Sequence, residues 1–195
     1  MEFLAKGKRG IVYTKELNGK TVVVKKENPS STAIARIETE ARILQEVNKL
    51  GIGPKYISNT KDEVVMEFIQ GKRIDEFIIT SEKKELIKVL IDVMNQCFLL
   101  DQSNLSKEEM HHPHKHILVG SKVVMIDWER AHKTLKPTNV TQFCQYITSS
   151  NLSKIMGAKG IVISKAEIIR LAKIYKEDIN LNNLKKIMQL IKNNN

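Results

Sequence analysis

A change in hydrophobic periodicity between residues 70 and 80 constrains this 195-residue chain more than any other feature of its sequence. Up to about residue 70, most apolar residues form short β-branched runs, interrupted by one helical segment. Beyond about residue 80, apolar residues recur at the three- and four-residue spacing of amphipathic helices. Strands followed by helices are typical of α+β proteins. The sequence therefore predicts an antiparallel sheet with one helix over residues 1–70 and a mostly helical part over residues 71–195.

The first part contains a clear hairpin pattern. The β-branched runs GIVYTKEL and KTVVVKKE are joined by Asn18-Gly19, a dipeptide that tolerates the positive φ angles of a tight turn. A helix is predicted from a start at residues 29–32 to a stop at Gly51. It is followed by a predicted turn at GIGP and then by a buried strand, VVMEFI, that ends at Gly71. The apolar face of that helix consists of Ile34, Ile37, Ala41, Leu44 and Val47.

The second part is predicted to contain a long helix, a hairpin and several shorter helices. Ser81 is the predicted N-cap of the long helix, and the runs HILV and VVMID form the hairpin around Gly120. Asn139 or Thr138 is predicted to cap a later helix, and Ser164-x-x-Glu167 reads as a capping box. The apolar faces are Leu86, Ile87, Leu90, Ile91, Met94 and Phe98 in the long helix, Val140, Phe143, Tyr146 and Ile147 in the next, and Leu184, Ile187, Met188 and Ile191 in the last.

The net charge of +10 is concentrated in the C-terminal half of the chain. Residues 102–195 carry 15 Lys and Arg against 7 Asp and Glu, and no acidic residue lies between Arg130 and Lys165. A polycationic surface attracts phosphates, so RNA or a ribonucleoprotein is a reasonable partner for the basic C-terminal third of the chain. The alternative is an ordinary solvated basic surface.

The composition favours a cytoplasmic protein without a membrane partner. No stretch approaches the roughly 18 apolar residues of a membrane span. The N-terminus MEFLAKGKRG lacks the apolar region of a signal peptide. Cys97 and Cys144 lie 47 positions apart without CxxC spacing, so neither a zinc knuckle nor a disulfide framework is indicated.

Two features of the N-terminal hairpin are suited to binding phosphates. In KGKRGIVY, Gly7 and Gly10 would let backbone N–H groups approach phosphates closely, and Val12 could cover a base. In the following strand, Val23 and Lys25 point to the same face, so Lys25 is a suitable point charge for phosphates. The glycine turn alone also fits an ordinary hairpin loop.

Two acidic residues complete this set. Glu40 lies near the apolar face of the predicted helix and can hold the Lys25 ammonium group, whereas Glu38 is rotated about 160° away from it. Asp127 follows an apolar strand, where a carboxylate can bind a divalent cation that bridges phosphates. Asp127 could equally be a simple turn former.

A glycine loop, a strand lysine, a helix glutamate, a connector after VVMEF and an aspartate after a hairpin, in this order, resemble the protein-kinase-like superfamily. The chain looks most like the small archaeal predicted serine/threonine kinases related to the RIO kinases and to the kinase of the KEOPS tRNA-modification complex. The resemblance covers roughly residues 4–150 and is most distinctive in ETEARILQEVNKLGIGPKYI, VVMEFIQG and HKHILVGSKVVMIDWERA. It implies a minimal two-lobed fold with an N-lobe over residues 1–70 and a C-lobe over residues 71–195.

The resemblance also implies ATP as the nucleotide and Mg²⁺ or Mn²⁺ as the metal. By this resemblance, Lys25 binds the phosphates, Glu40 is its ion-pair partner and Asp127 is the metal ligand. Glu67 and Phe68 are, on the same basis, the hinge that meets adenine.

The chain departs from the family pattern in its catalytic loop, which in the family has the form HxDxxxxN. His111 stands where the catalytic Asp is expected, and His116 stands where the metal-binding Asn is expected. The glycine of the metal motif is also replaced, since Asp127 is followed by Trp128 and Glu129. The chain therefore matches the family pattern more closely at the positions for nucleotide binding than at the positions for phosphoryl transfer.

Four of the five histidines, His111, His112, His114 and His116, fall within six residues of this loop. One of them, with His111 and His114 as the main candidates, could be a general base, because imidazole titrates near neutral pH. His116 and Asp127 could instead be mixed ligands of a transition metal, or the loop could simply be polar.

Three further residues of the loop are candidates for roles in the transfer. Glu108 or Glu109 could supply the base if the loop follows a different path. Lys115, next to His116, is a candidate to neutralise a transferring phosphoryl group.

These features lead to two main functional hypotheses. The first is an ATP-dependent serine/threonine protein kinase that phosphorylates a protein hydroxyl, or a slow ATPase, with a degenerate catalytic loop. The second is a pseudokinase-type module whose nucleotide pocket acts as a switch while the basic C-terminal third binds RNA or a ribonucleoprotein. A small-molecule phosphotransferase is less favoured, because the region after Asp127 is short for an elaborate acceptor pocket.

Overall fold

The structure, a computed structural model, describes residues 1–7, 10–29 and 36–193. It has the predicted α+β organisation, with an antiparallel five-stranded sheet and one helix followed by a mostly helical part. The chain divides into two compact units. The first consists of Met1–Gln70 and Val124–Ala131, and the second consists of Gly71–Val123 and the chain from His132 onward. Within the described residues, no helix is long and apolar enough to cross a membrane.

The first unit contains β1 (Glu2–Lys6), β2 (Gly10–Leu17), β3 (Lys20–Glu27), α1 (Arg36–Asn48), β4 (Tyr56–Asn59) and β5 (Glu63–Glu67). Its five strands form one sheet in the order β1-β2-β3-β5-β4. Strands β2 and β3 occupy the two predicted runs, and Asn18 and Gly19 join them with φ angles of 51° and 72°, so the predicted hairpin is confirmed.

Helix α1 packs the predicted apolar face into the core. Ile37, Ala41, Leu44 and Val47 are all buried, whereas Ile34 and the predicted start at residues 30–32 lie outside the described residues.

At the end of the helix, the Asn48 amide group donates to the carbonyl oxygens of residues 52 and 54 at 2.9 Å each and accepts from the backbone N–H of residue 56 at 2.7 Å. This one side chain therefore fixes the GIGP turn that leads into β4.

Strand β5 is shorter than the sequence predicted, because it ends at Glu67 and not near Gly71. Glu67 pairs with Val22 of β3, and β3 begins only two residues earlier, at Lys20, after the hairpin turn. Beyond Glu67, β3 therefore offers few further residues with which β5 could pair, and Gly71 begins a separate short strand.

The second unit is mostly helical. Its elements are β6 (Gly71–Arg73), α2 (Ile74–Thr80), α3 (Lys83–Gln102), β7 (Leu105–Ser106), a 3₁₀ helix (Pro113–Lys115), β8 (Ile117–Gly120), β10 (His132–Lys133), α4 (Asn139–Ile147), α5 (Ser150–Ala158), α6 (Lys165–Glu177) and α7 (Leu181–Lys192). Six of these, β6, α2, β7, the 3₁₀ helix, β10 and α5, were not predicted. Strand β9 (Val123–Met125) neighbours β8, which confirms the predicted hairpin around Gly120.

The predicted N-cap of the long helix was wrong by one residue. Glu82 caps α3 and forms a capping box with Glu85, because Ser81 already ends α2 by donating its backbone N–H to the Phe77 carbonyl oxygen at 2.8 Å. The predicted face of α3 is otherwise buried, except for Ile91, which is partly exposed.

The C-terminal helices bury the residues that their periodicity predicts, namely Val140, Phe143, Tyr146 and Ile147 in α4 and Leu184, Ile187, Met188 and Ile191 in α7. The capping box at Ser164 is confirmed only in its first half. The Ser164 hydroxyl accepts from the Glu167 backbone N–H at 3.3 Å, but the Glu167 carboxylate binds Arg170 at 2.6 Å.

Helix α4 is capped from a distance by Asp101, the penultimate residue of α3. Thr138, its N-cap residue, makes no side-chain capping bond. Instead, the buried Asp101 carboxylate accepts from the backbone N–H groups of Asn139 and Val140 at 3.0 and 3.2 Å, and from the Tyr175 hydroxyl at 3.0 Å. Burial raises the pKa of Asp101 although these donors oppose the shift. Asp101 thus ties α3, α4 and α6 together.

We expect Asp101→Asn to lower the free energy of unfolding by about 1–3 kcal/mol, because an amide can present only one acceptor oxygen to donors that face two. Chemical denaturation monitored by circular dichroism measures this loss. Asp62→Asn, an exposed control, should change stability by less than about 0.5 kcal/mol. Equal stabilities for the two variants would show that the Asp101 network does not stabilise the fold.

Candidate functional site

Lys25 lies at the centre of a charged cluster in the first unit. It projects from β3, where its backbone is paired with Val12 on one side and Val64 on the other, and only 9% of the residue is exposed. Its ammonium nitrogen lies 2.7 Å from Glu40 Oε2, 2.8 Å from Asp127 Oδ1 and 3.3 Å from Glu129 Oε2. The Lys25 ammonium group therefore faces three carboxylates, all of which are distant from Lys25 in the sequence.

Glu40 is the helix residue that contacts Lys25, and Glu38 is exposed on a different face of α1. Glu40 is almost fully buried, because it lies on the side of the helix that also carries Ile37 and Leu44. Its second oxygen, Oε1, accepts the backbone N–H of Trp128 at 3.1 Å. Glu40 therefore binds both the strand lysine and the backbone of the Val124–Ala131 segment.

That segment holds Asp127 and Glu129 in place through Trp128. The Trp128 side chain is fully buried, and its Nε1 donates to the Met125 carbonyl oxygen at 3.2 Å. Asp127 has a φ angle of 64°, in the left-handed region that non-glycine residues rarely adopt. The prediction that Asp127 follows the hairpin strand is confirmed, and the turn there directs its carboxylate to Lys25.

The electrostatics of the cluster keep Lys25 charged. Burial disfavours its charged form, but the carboxylates of Glu40, Asp127 and Glu129 outweigh this effect, so the pKa of Lys25 is raised above its usual value. Burial also raises the pKa of Glu40, and the neighbouring Asp127 adds to this rise, against the opposing effects of Lys25 and the Trp128 N–H. The cluster therefore contains more carboxylate groups than ammonium groups.

The three carboxylates have the chemistry of a site for a hard divalent cation. Glu40, Asp127 and Glu129 each offer one oxygen, and these oxygens lie within 4.8 Å of one another. Oxygen ligands with excess negative charge suit Mg²⁺ and Mn²⁺. Asp127 and Glu129 are the more accessible of the three, so they are the residues that could hold such an ion.

The glycine loop is described only in part, since residues 8 and 9 lie outside the described residues. The Gly7 N–H donates to the Gly10 carbonyl oxygen at 2.8 Å. A Cβ atom at residue 10 would lie 2.9 Å from Lys25 Cε. Gly10 therefore leaves the space through which the Lys25 side chain reaches the carboxylates, a role that the sequence did not reveal.

The residues expected to meet adenine lie at and after the end of β5. The Glu67 carboxylate accepts the backbone N–H of Lys55 at 3.0 Å, while the Glu67 N–H donates to the Lys55 carbonyl oxygen at 2.8 Å. Phe68 is 36% exposed. Val12 and Val23 are partly buried on the neighbouring strands β2 and β3.

The histidine-rich loop belongs to the second unit. The rings of His111 and His112 lie 4.6 Å apart, and His111 Nδ1 lies 3.4 Å from Gln142 Oε1. His114 packs edge-on against Tyr146 at 5.3 Å, and Lys115 is exposed in the 3₁₀ helix.

His116 and Asp127, which were predicted to share a metal, have different contacts. His116 belongs to the second unit, where its Nε2 lies 3.1 Å from Glu109 Oε2. Asp127 belongs to the first unit and contacts Lys25.

The sequence did not predict Glu129 as a member of the cluster, although the spacing Asp-Trp-Glu places two acids around a large apolar residue. Burial of Trp128 is what brings both acids to Lys25, and that burial depends on contacts distant in the sequence.

Neither a scan against protein-family models nor a search of curated proteins finds a match to this chain. The family resemblance therefore depends on the ordered motifs quoted above.

We expect Lys25→Met to lower the free energy of unfolding at pH 7 by about 3–5 kcal/mol, because it leaves buried carboxylates without their cation. A carboxyl group whose pKa is higher in the folded than in the unfolded chain takes up protons on folding, so the variant should recover stability as the pH falls. Denaturation of parent and variant at pH 7 and pH 5 measures both effects.

Lys26→Met is the matched control. Lys26 forms a partly exposed pair with Glu63 at 3.1 Å on the same strand, and such pairs contribute less than about 1 kcal/mol. A Lys25→Met loss as small as that of the control, or a loss that does not change with pH, would contradict the electrostatic description of the cluster.

Proposed function

We propose that this protein is an ATP-dependent serine/threonine protein kinase of minimal, two-lobed kinase-like fold, or a slow ATPase that uses the same site. The observation that carries the proposal is the position of the Lys25 ammonium group, 2.7 Å from Glu40 and 2.8 Å from Asp127. A strand lysine held by a helix glutamate beside an aspartate that follows a hairpin is the arrangement that protein kinases use in phosphoryl transfer from ATP.

In this proposal, each residue of the cluster acts on a different part of the nucleotide. Lys25 binds the α- and β-phosphates, and Glu40 keeps its ammonium group in place. Asp127 and Glu129 hold Mg²⁺ or Mn²⁺, which would neutralise the charge of the phosphates when bound. By resemblance to the family, Gly7 and Gly10 belong to the loop that approaches the phosphates, and Glu67 and Phe68 mark the adenine end.

A second candidate function is a nucleotide-dependent module that binds RNA or a ribonucleoprotein. The supporting observation is that the C-terminal helices α5, α6 and α7 expose many cations, while few acids accompany them. The exposed lysines are Lys154, Lys165, Lys173, Lys176, Lys185, Lys186 and Lys192. This candidate is compatible with nucleotide binding by the first unit, and it does not require phosphoryl transfer.

We expect the parent to bind ATP at least about tenfold more tightly with Mg²⁺ or Mn²⁺ than without, equivalent to about 1.4 kcal/mol, and Asp127→Asn to lose this gain. A neutral amide is a poorer ligand for a hard cation, and its similar shape should leave the fold intact. Isothermal titration calorimetry with ATP, with and without each metal, measures the gain.

Lys25→Ala should weaken ATP binding by at least about tenfold, since it removes a charge-assisted contact to phosphate. Lys26→Ala is its control and should bind ATP like the parent. Unchanged affinity in Lys25→Ala, or an unchanged metal response in Asp127→Asn, would remove the nucleotide site from the first unit.

The second candidate predicts binding to single-stranded RNA that weakens steeply with salt. Lys173→Glu combined with Lys176→Glu should reduce the affinity for a fluorescent oligouridylate by at least about tenfold, because two phosphate contacts are lost and two repulsions are added. Lys15→Glu with Lys20→Glu, exposed lysines of the first unit, is the charge-matched control. Equal binding by both double variants would exclude the C-terminal helices as the RNA surface.

A further inference from the structure

The carboxylates that could hold a divalent cation are the same ones that bind the Lys25 ammonium group. Its nitrogen lies 2.8 Å from Asp127 Oδ1 and 3.3 Å from Glu129 Oε2. Carboxylate oxygens bind Mg²⁺ at about 2.0–2.1 Å, so an ion held by both residues would lie within a few ångströms of the ammonium nitrogen. Two positive charges at such a distance repel each other strongly. The ion and the ammonium group therefore compete for Asp127 and Glu129.

The three carboxylates differ in their exposure to solvent. The side chain of Asp127 is 37% exposed, that of Glu129 is 13% exposed and that of Glu40 is 2% exposed. Glu40 is also fixed by the Trp128 N–H, which donates to its Oε1 at 3.1 Å. An ion that arrives from solvent therefore reaches Asp127 first, whereas Glu40 is placed to keep its contact with Lys25.

The Lys25 side chain can move while its backbone stays in place. The backbone is fixed in β3 by pairing with Val12 and Val64. The ammonium group is carried on a flexible four-carbon chain. A Cβ atom at residue 10 would lie 2.9 Å from Lys25 Cε, so Gly10 leaves space beside that chain. Lys25 can therefore withdraw from two of its carboxylates without a change in the sheet.

The charge of the cluster opposes the binding of phosphates. When all its groups are ionised, three carboxylates and one ammonium group give a formal charge of −2. A phosphate is repelled by this charge and has to compete with the carboxylates for the Lys25 ammonium group. A divalent cation brings the formal charge to zero and occupies two of those competitors.

We propose that a divalent cation binds to Asp127 and Glu129 before the nucleotide, replaces the Lys25 ammonium group there and releases Lys25 for the phosphates. This inference rests on the proposed function, because the phosphates are those of ATP. Glu40 keeps its contact with Lys25 throughout. Glu129 therefore has two roles: it binds the metal, and without the metal it competes with phosphate for Lys25.

Titration with Mn²⁺ in the absence of nucleotide tests the replacement in the full chain. Lys25→Met should bind Mn²⁺ at least about tenfold more tightly than the parent by calorimetry, because the competing ammonium group is gone. Mn²⁺ should also raise the midpoint of thermal unfolding more in this variant than in the parent. Lys26→Met removes the neighbouring charge, which pairs with Glu63 at 3.1 Å, and as the matched control should bind Mn²⁺ within about twofold of the parent.

Glu129→Gln provides a second test that keeps Lys25 and does not depend on the folding of Lys25→Met. It should bind Mn²⁺ at least about tenfold more weakly, because an amide is a poorer ligand for a hard cation. In the presence of EDTA it should bind ATP at least about threefold more tightly, because one competitor for Lys25 is neutral. A merely structural role would not move the two affinities in opposite directions. Glu63→Gln is the control and should leave both affinities unchanged.

The outcomes separate this inference from the proposed function. If the parent binds ATP with metal but neither variant shows its expected shift, the replacement is overturned and the nucleotide site stands. If the parent binds Mn²⁺ only together with ATP, the proposed order is overturned. If Lys25→Met binds Mn²⁺ more tightly than the parent but ATP is not bound by the parent, the replacement is supported and the proposed function fails.

Discussion

The ammonium group of Lys25 joins three parts of the first unit that are far apart in the sequence: strand β3, helix α1 and the Val124–Ala131 segment. Burying Lys25 and Glu40 beside two partly exposed carboxylates is a costly way to join them, since apolar side chains of similar volume usually stabilise a fold as well or better. Burial raises the pKa of Glu40, and the neighbouring Asp127 adds to this rise against the opposing effect of Lys25. A cluster with more carboxylates than ammonium groups is better explained by a cation that it binds than by stability.

The parts of the fold that the sequence predicted are those determined by local patterns. The hairpin around Asn18-Gly19 and the buried face of α1 follow from turn chemistry and helical spacing, and both are present. The contact of Lys25 with Glu40 follows from strand alternation and from the face of the helix. Glu129 could not be predicted in the same way, because it joins the cluster only through a left-handed Asp127 and a buried Trp128.

Elements that the sequence did not predict depend on partners elsewhere in the chain. Helix α2 has only seven residues and consists of IDEFIIT, whose β-branched residues do not favour a helix by themselves. The cap of α4 is supplied by Asp101, 38 positions before Asn139, so no capping residue near Asn139 reveals it. The N-cap of α3 is Glu82 and not the predicted Ser81. Ser81 instead ends α2, a helix that the sequence did not predict.

Within the described part of the chain, five residues other than glycine have a positive φ angle, and their side chains fall into two groups. Asn18 and Asn104 lie in turns, where asparagine adopts this conformation at little cost. The remaining three, Glu108, Glu109 and Asp127, are all acidic, and each carboxylate is paired with a lysine or histidine. Turn formation alone would favour glycine or asparagine at these positions, so the acidic side chains are explained by what they bind and not by the backbone that carries them.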